Sequence, residues 1–303
     1  MHGNKKSPRS GITMKRRMVQ IYTAVLYNAH VRGWVTGRIY RGPLKTVCVP
    51  GLNCYSCPAA VGACPLGALQ NAVAASASRP GFYVIGTLLL FGLLFGRMIC
   101  GWACPMGLIQ ELLYKIPGKK AKKSRLTRGL SSVKYVFLTV FVLLIPGIYA
   151  LRRVPLPAFC KFICPAGTLE GALGLMLHPA NGDLRGIAGA LFFWKLGVMI
   201  AILAVSVFVF RAFCRFLCPL GALYGLMARL ALAGVRIERD KCTECGACVR
   251  VCPMDVKAVG DRECVHCGRC MEVCGHGAIS VRAGKIVLAG PEAGSSAEGG
   301  RQS

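Results

Sequence analysis

The sequence predicts an α-helical membrane protein of about four transmembrane helices, with a small α+β domain at its C-terminal end. Three observations predict it. The 303 residues are 54% apolar, with a mean hydropathy of +0.51, well above a soluble average. Apolar runs at Val19–Tyr40, Gly81–Gly96, Tyr135–Leu151 and Ile187–Phe210 are separated by loops. From Val235 the composition turns polar, and two dense cysteine runs follow.

In chain order, residues 1–18 form a basic tail carrying Lys5, Lys6, Arg9, Lys15, Arg16 and Arg17. Met1 to Gly11 is polar, so no cleavable signal is expected. Val19–Tyr40 is long enough to cross a bilayer, which takes about 20 residues. It is interrupted by Gln20, Asn28, His30, Arg32 and Arg38, as suits a span packed among other helices or facing a bound quinone. His30 reads better as a packed histidine than as a haem or quinone ligand. The loop 41–79 holds Cys48, Cys54, Cys57 and Cys64, with a short helix expected over Ala68–Ala77. The second span, Gly81–Gly96, ends at Arg97 and the Cys100 pair, and Leu108–Ile116 reads as an interfacial helix. Lys115 to Arg128 is the densest basic run and reads as a cytoplasmic loop. After the third span, residues 152–186 contain the Cys160 pair and a short helix over Thr168–Leu177. The fourth span, Ile187–Phe210, carries one internal charge, Lys195, and an amphipathic piece follows at Ala222–Leu232. The expected division is therefore a tail at 1–18, a membrane domain at 19–234, a soluble domain at 235–290 and a disordered tail at 291–303 rich in Gly, Ser, Ala and Glu.

The net charge of +26 has a topological reading. The flank 1–18 has six Lys/Arg and the Arg97–Lys134 loop nine, against three in 41–79 and four in 151–186. By the positive-inside rule both termini lie in the cytoplasm, with anionic lipid rather than nucleic acid as the partner of the basic residues. This puts Cys100, Cys104, Cys214 and Cys218 on the inner face, and Cys48, Cys54, Cys57, Cys64, Cys160 and Cys164 on the outer one. The localisation expected is the cytoplasmic membrane of a bacterium or archaeon.

Eighteen cysteines in tight groups are a metal-ligand pattern rather than a disulfide framework. Cys242-x2-Cys245-x2-Cys248-x3-Cys252-Pro253 is the run of a bacterial two-cluster ferredoxin, and it recurs as Cys264-x2-Cys267-x2-Cys270-x3-Cys274. The fourth cysteine of each run serves the other cluster in such domains. One [4Fe-4S] cluster is thus assigned to Cys242, Cys245, Cys248 and Cys274, and the second to Cys252, Cys264, Cys267 and Cys270. Gly275 stands where a proline usually falls. Ile237, Val251, Val256, Val273, Ile279 and Val281 are the expected apolar shell.

Cys100-Gly-Trp-Ala-Cys104-Pro-Met-Gly and Cys214-Arg-Phe-Leu-Cys218-Pro-Leu-Gly supply two thiolate pairs, enough for one further cluster. Pro105 and Pro219 fit the first turn of a helix, whose N-terminus favours anionic thiolates. Arg97, Arg211 and Arg215 can balance the same charge. Cys64, Cys104, Cys164 and Cys218 all begin Cys-Pro-x-Gly, which suggests a tandem two-span repeat that brings the Cys100 and Cys214 pairs together. The outer-face cysteines form a less defined metal site. Either Cys48, Cys54, Cys57 and Cys64, or Cys57 and Cys64 with Cys160 and Cys164, complete a quartet. A disulfide or another soft metal remains open there. Glu111 and Glu170 could take protons from a quinol, but read better as surface or capping carboxylates.

These residues resemble the NapH family of membrane ferredoxin-type proteins, and parts of the pattern are similar to NosR- and CcoG-like membrane polyferredoxins. The resemblance rests on Cys100-Gly-Trp-Ala-Cys104-Pro, on Cys214-Arg-Phe-Leu-Cys218-Pro-Leu-Gly-Ala-Leu-Tyr-Gly and on the run 242–274, and covers roughly residues 80–290. It implies an electron carrier or quinol-dehydrogenase subunit, relaying electrons between a quinone or cytoplasmic donor and a partner redox enzyme. An accessory role in the assembly, reduction or regulation of a metalloenzyme is the alternative; a transporter for a soft metal is the third reading. No hydrolytic or nucleophilic machinery is visible, and no ligand pair marks the middle of the bilayer, so no continuous inner-to-outer wire is expected.

Overall fold

The computed structural model describes residues 11–75, 81–121, 123–284 and 286–290. Lys5, Lys6, Arg9, Lys122 and the tail 291–303 lie outside the described residues. Among the described residues the chain is mostly helical from Gly11 to Met227 and then forms a small domain around a three-stranded antiparallel sheet.

Among the described residues two helices are long and apolar enough to cross a membrane, Thr127–Leu151 and Ala190–Phe208. Much of their surface is apolar and exposed, including Val136, Leu144, Ile148, Phe193, Trp194 and Ile200. Pro146 sits inside the first. A helical proline lacks the N–H for the ladder and its ring crowds the preceding turn, and the helix widens into π turns over Leu138–Leu144 just before it.

The other two expected spans differ. Val19–Tyr40 is not one helix. A helix runs over Gly11–Tyr27, and a six-residue helix follows at Val31–Thr36. Between them the Asn28 amide turns back to Ala24 O and reaches Asn53, while the His30 N–H bonds Ala59 O. The His30 ring packs on Tyr40, with centroids 4.8 Å apart. The second apolar run forms Phe82–Phe95, only 14 residues, or about 21 Å at 1.5 Å per residue.

Proline sets the start of the short helices. Pro65, Pro105 and Pro219 occupy the first turn of Pro65–Ala74, Pro105–Leu113 and Pro219–Met227, so each begins before the point the apolar pattern suggests. On Pro105–Leu113, Gln110 and Glu111 are buried while Leu112 is exposed.

In the C-terminal domain Ala233–Ile237 (β1) pairs with Ile279–Ala283 (β2), Val235 opposite Val281, and β2 pairs with Ile286–Ala289 (β3). Val235, Val256, Ile279 and Val281 are buried, whereas Val251 and Val273 are exposed and do not belong to the apolar shell. One hydrophobic core runs from the helical part into this domain and includes Cys64, Cys164, Cys100, Cys104, Cys214, Cys218, Cys264 and Cys267.

The two parts are joined by buried ion pairs. Arg97, fully buried, donates to Glu263 at 2.7 Å and to Arg262 O at 3.0 Å, and Lys134 pairs with the same carboxylate. Arg215 and Arg128 pair with Asp255. Arg215 is thus engaged in docking the domain. The Trp102 indole donates to His266 O at 2.8 Å. Gly101 lies under Val265, and a Cβ there would overlap the Val265 carbonyl oxygen. From the basic loop, Lys123 donates to Val249 O and Arg250 O.

Candidate metal centres

The C-terminal cysteines divide between two cavities. Cys252, Cys264, Cys267 and Cys270 line one together with Val235, Val256, Val259 and Cys248, which also lines the second. Cys242, Cys245, Cys248 and Cys274 line a larger, open one, and Cys245 is exposed. The backbone repeats itself around them. In Cys242-Thr-Glu-Cys245-Gly, Glu244 and Gly246 have φ of 52° and 69°; in Cys264-Val-His-Cys267-Gly, His266 and Gly268 have 49° and 82°. Left-handed residues flanking the second cysteine turn backbone N–H groups inward as anion-binding nests. The His266 N–H reaches Cys264 Sγ at 3.4 Å. The His266 ring accepts from Val235 N at Nδ1, and its buried Nε2 has no partner among the described residues. Burial, aided by Arg236 and Arg97, pushes this histidine down to about 4, so it is neutral.

The second group is in the helical part. Cys100 and Cys214 each lie on a one-turn helix, Met98–Trp102 and Ala212–Phe216, and Cys104 and Cys218 cap the helices that follow. All four are buried, and their charges act on one another: Cys218 on Cys214, Cys100 and Cys104, and Cys104 on Cys214. The structure thus brings the Cys100 and Cys214 pairs together. The glycine of each Cys-Pro-x-Gly has two uses. Its N–H reaches the capping sulfur, as Gly221 N reaches Cys218 Sγ at 3.4 Å. Its missing side chain also admits the carbonyl of the other cysteine of the pair: a Cβ on Gly107 would stand 3.0 Å from Cys100 O, and one on Gly221 3.2 Å from Cys214 O.

Polar groups surround this quartet. Gln110 Nε2 donates to Cys214 Sγ at 3.1 Å while its Oε1 accepts from Phe213 N. Arg211, fully buried and held at φ 52°, donates to Cys100 O at 2.6 Å and pairs with Glu111, which also binds Arg16. Burial raises the Glu111 pKa, but Arg211 and Arg16 outweigh it and hold the carboxyl down at about 2. Glu111 is therefore a buried counter-ion, and the expectation of a surface or capping carboxylate fails. Its partners Arg16 and Arg211 stand about a hundred residues away on either side in sequence. Arg211 also acts on Cys267 of the C-terminal domain.

The third group departs from both outer-face quartets. Cys54, Cys64, Cys160 and Cys164 line one cavity of about 180 Å³ with Lys195 and Asn71. Cys48 and Cys57 do not line it; Cys48 bridges to Ala63, and Cys57 is buried against Ala59 and Ala60. Glu170 is half-buried here and accepts from Cys54 N at 2.6 Å, so it too is not a free surface carboxylate. Burial pushes it up to about 7, against the pull of that N–H. Nor are the second and third groups separated by a bilayer. The N–H of Leu52 serves Cys104 and that of the next residue, Asn53, serves Cys64. Consecutive Cα atoms are about 3.8 Å apart. The placement of these cysteines on opposite membrane faces is thereby overturned: the 48–64 loop folds inward, anchored by the Tyr224 hydroxyl on Pro50 O at 2.9 Å.

The donor chemistry fits iron–sulfur clusters. Burial pushes Cys104 and Cys264 up to about 11 and Cys54 and Cys160 up to about 12. Bare thiolates are costly in such surroundings, and a metal centre that takes sulfur as thiolate offsets the cost. Among the described residues no three His, Cys, Asp or Glu side chains converge on a single ion. The C-terminal cysteines and Cys54, Cys64, Cys160 and Cys164 instead line cavities, as ligands to a polynuclear cluster do.

Known proteins similar to this chain bind 4Fe-4S clusters. A 4Fe-4S binding domain family matches residues 79–124, 135–180 and 191–238, and a second 4Fe-4S binding domain family matches 235–257 and 260–280. Relatives include a putative electron transport protein, YccM, of Escherichia coli, 28% identical over 173 residues, covering 54% of this chain and 43% of that protein. The methylamine utilization ferredoxin-type protein MauN of Paracoccus denitrificans is 30% identical over 194 residues, covering 61% of this chain and 59% of MauN. The regulatory protein NosR of Pseudomonas aeruginosa is 28% identical over 191 residues, covering 58% and 23%. The chain thus spans about half, or less, of the length of these relatives. No solved structure matches.

Proposed function

From the premise that this chain belongs to the ferredoxin-type 4Fe-4S proteins, we propose that it is a multi-pass membrane relay carrying single electrons between a donor redox protein or quinol and an acceptor redox enzyme. Three quartets hold its clusters: Cys242, Cys245, Cys248 and Cys274; Cys252, Cys264, Cys267 and Cys270; and Cys100, Cys104, Cys214 and Cys218. Bound there, a [4Fe-4S] cluster supplies reversible one-electron storage. Each electron leaves the donor oxidised by one and the acceptor reduced by one. The observation that carries the reading is one continuous core that holds Cys100, Cys104, Cys214 and Cys218 together with Cys264 and Cys267, with the buried Arg97 donating both to Cys214 O and to Glu263 of the C-terminal domain.

The chain's own residues do the rest. The buried pairs of Arg97 with Glu263 and Arg215 with Asp255 hold the C-terminal domain in place. Gln110, Arg97 and Arg211 orient and neutralise the inner thiolates. The open cavity beside Cys242 and Cys245 offers the contact point for a soluble redox partner. The apolar faces of 127–151 and 190–208 face lipid, and the helices 11–27 and 82–95 complete the bundle, with the basic loop 115–128 on the cytoplasmic side.

The test is a redox titration of the anaerobically purified protein followed by EPR, with a quinol analogue added as reductant. Reduction of the clusters by the quinol at turnover rates supports the relay. Clusters that reduce with dithionite but never with quinol or a soluble donor, together with an immature partner enzyme in a deletion strain, point to an accessory role in metalloenzyme assembly.

A further inference from the structure

We propose that Cys54, Cys64, Cys160 and Cys164 hold a fourth [4Fe-4S] cluster, set directly against the inner quartet. The proposal rests on the relay reading and extends it by one site.

The inner quartet provides the pattern. There, a Cys-x3-Cys pair meets a cysteine that caps a Pro-initiated helix, and a glutamine one turn along that helix bonds the first cysteine of the pair. The same construction recurs. Cys64 caps Pro65–Ala74, and Gln70, six residues on as Gln110 is from Cys104, donates to Cys160 Sγ at 3.1 Å. Its Oε1 accepts from Phe159 N at 3.0 Å, as Gln110 accepts from Phe213 N at 2.9 Å. The ring centroids of these two phenylalanines, Phe159 and Phe213, lie 6.4 Å apart, so the matching parts of the two sites are in contact.

The copy has one gap. The position matching Cys100, four residues before Cys64, is Ala60. Cys54 supplies the missing thiol from farther back in the loop, and it acts electrostatically on Cys160 and Cys164. The thiolate of a lone buried Cys-x3-Cys pair needs no such replacement; a four-ligand cluster does. Lys195, the single charge in the apolar helix 190–208, lines this cavity. A cation inside an apolar span is costly and needs a partner, and an anionic thiolate-bound cluster is one.

The wall between the two quartets is the Leu52–Asn53 backbone, whose successive N–H groups serve Cys104 and Cys64. Tyr224, fully buried, is within electrostatic reach of Cys100, Cys104 and Cys64, and its hydroxyl holds Pro50 O, two residues before Leu52. Two reduced clusters across so thin a wall interact magnetically.

Iron and acid-labile sulfide are counted per full-length chain after anaerobic purification. The expected wild-type content is about sixteen of each rather than about twelve. The double variant Cys64→Ser/Cys164→Ser loses about four of each and narrows the inner quartet's EPR signal, while Cys48→Ser/Cys57→Ser keeps all of them. Wild-type content near twelve overturns the fourth site, as does full content in Cys64→Ser/Cys164→Ser, loss in Cys48→Ser/Cys57→Ser, or sulfide-free zinc in the cavity. Cys104→Ser/Cys218→Ser and Cys252→Ser are measured alongside. If they each remove their share while Cys64→Ser/Cys164→Ser removes none, the fourth site alone fails. If they also remove none, the relay reading fails with it.

Discussion

Arg97 and Arg211 exchange partners across the inner quartet. Each stands three residues before the first cysteine of one pair and donates to the carbonyl of the first cysteine of the other: Arg97 Nη2 to Cys214 O at 3.4 Å, Arg211 Nη1 to Cys100 O at 2.6 Å. The exchange ties the two pairs together and places two cations beside four thiolates. A nearby cation favours the reduced, more negative cluster. Arg211→Leu is expected to lower the midpoint potential of the inner quartet by on the order of 50–100 mV, the equivalent of one charge lost at a few ångströms in a medium of intermediate dielectric. Arg211→Lys retains most of the potential. An EPR-monitored titration of both variants checks this; equal potentials in Arg211→Leu and wild type would show that the cation is only structural.

Glu263 is the shared anion of Arg97 and Lys134. Glu263→Gln leaves two buried cations facing one another, and breaking a buried pair in this way costs about 3–5 kcal/mol. The expected result is a lower unfolding midpoint in detergent and faster hydrogen exchange across 260–280. Unchanged exchange there would mean the domain is held by other contacts.

Glu111 carries a pH signature. Its carboxyl is held at about 2, below the ordinary 4.5, so its ion pairs contribute stability that is complete above 4.5 and is lost as pH falls toward 2. The shift is equivalent to about 3 kcal/mol. The stability difference between wild type and Glu111→Gln should stay constant from pH 7 to 5 and shrink below 4.5. A difference that grows on acidification contradicts the pairing with Arg16 and Arg211.

Burial orders the clusters by vulnerability. Cys245 is exposed and its cavity open, whereas Cys100, Cys104, Cys214 and Cys218 are all buried. Under graded oxidation with ferricyanide, the EPR signal of the Cys242, Cys245, Cys248 and Cys274 cluster should disappear first and that of the inner quartet last. The reverse order would place solvent access at the membrane end.

The cysteine runs at 242–274 are legible in the primary structure because a ligand set spaced by two and three residues is a property of local turns, and local turns follow from nearby residues. The Cys-Pro-x-Gly motif is legible for the same reason: capping sulfur, helix-starting proline and close-approach glycine sit within four residues. The apolar spans 135–151 and 187–210 were readable from hydropathy, but Val19–Tyr40 was not, since its break depends on Asn28 meeting Asn53 and His30 meeting Ala59. Folding alone placed Cys54 rather than Cys48 or Cys57 on the third cavity, carried the 48–64 loop from the expected outer face to the wall of the inner quartet, and buried Glu111. Each of those outcomes depends on partners far apart along the chain, and spacing along a chain carries no information about which distant groups meet once it is packed.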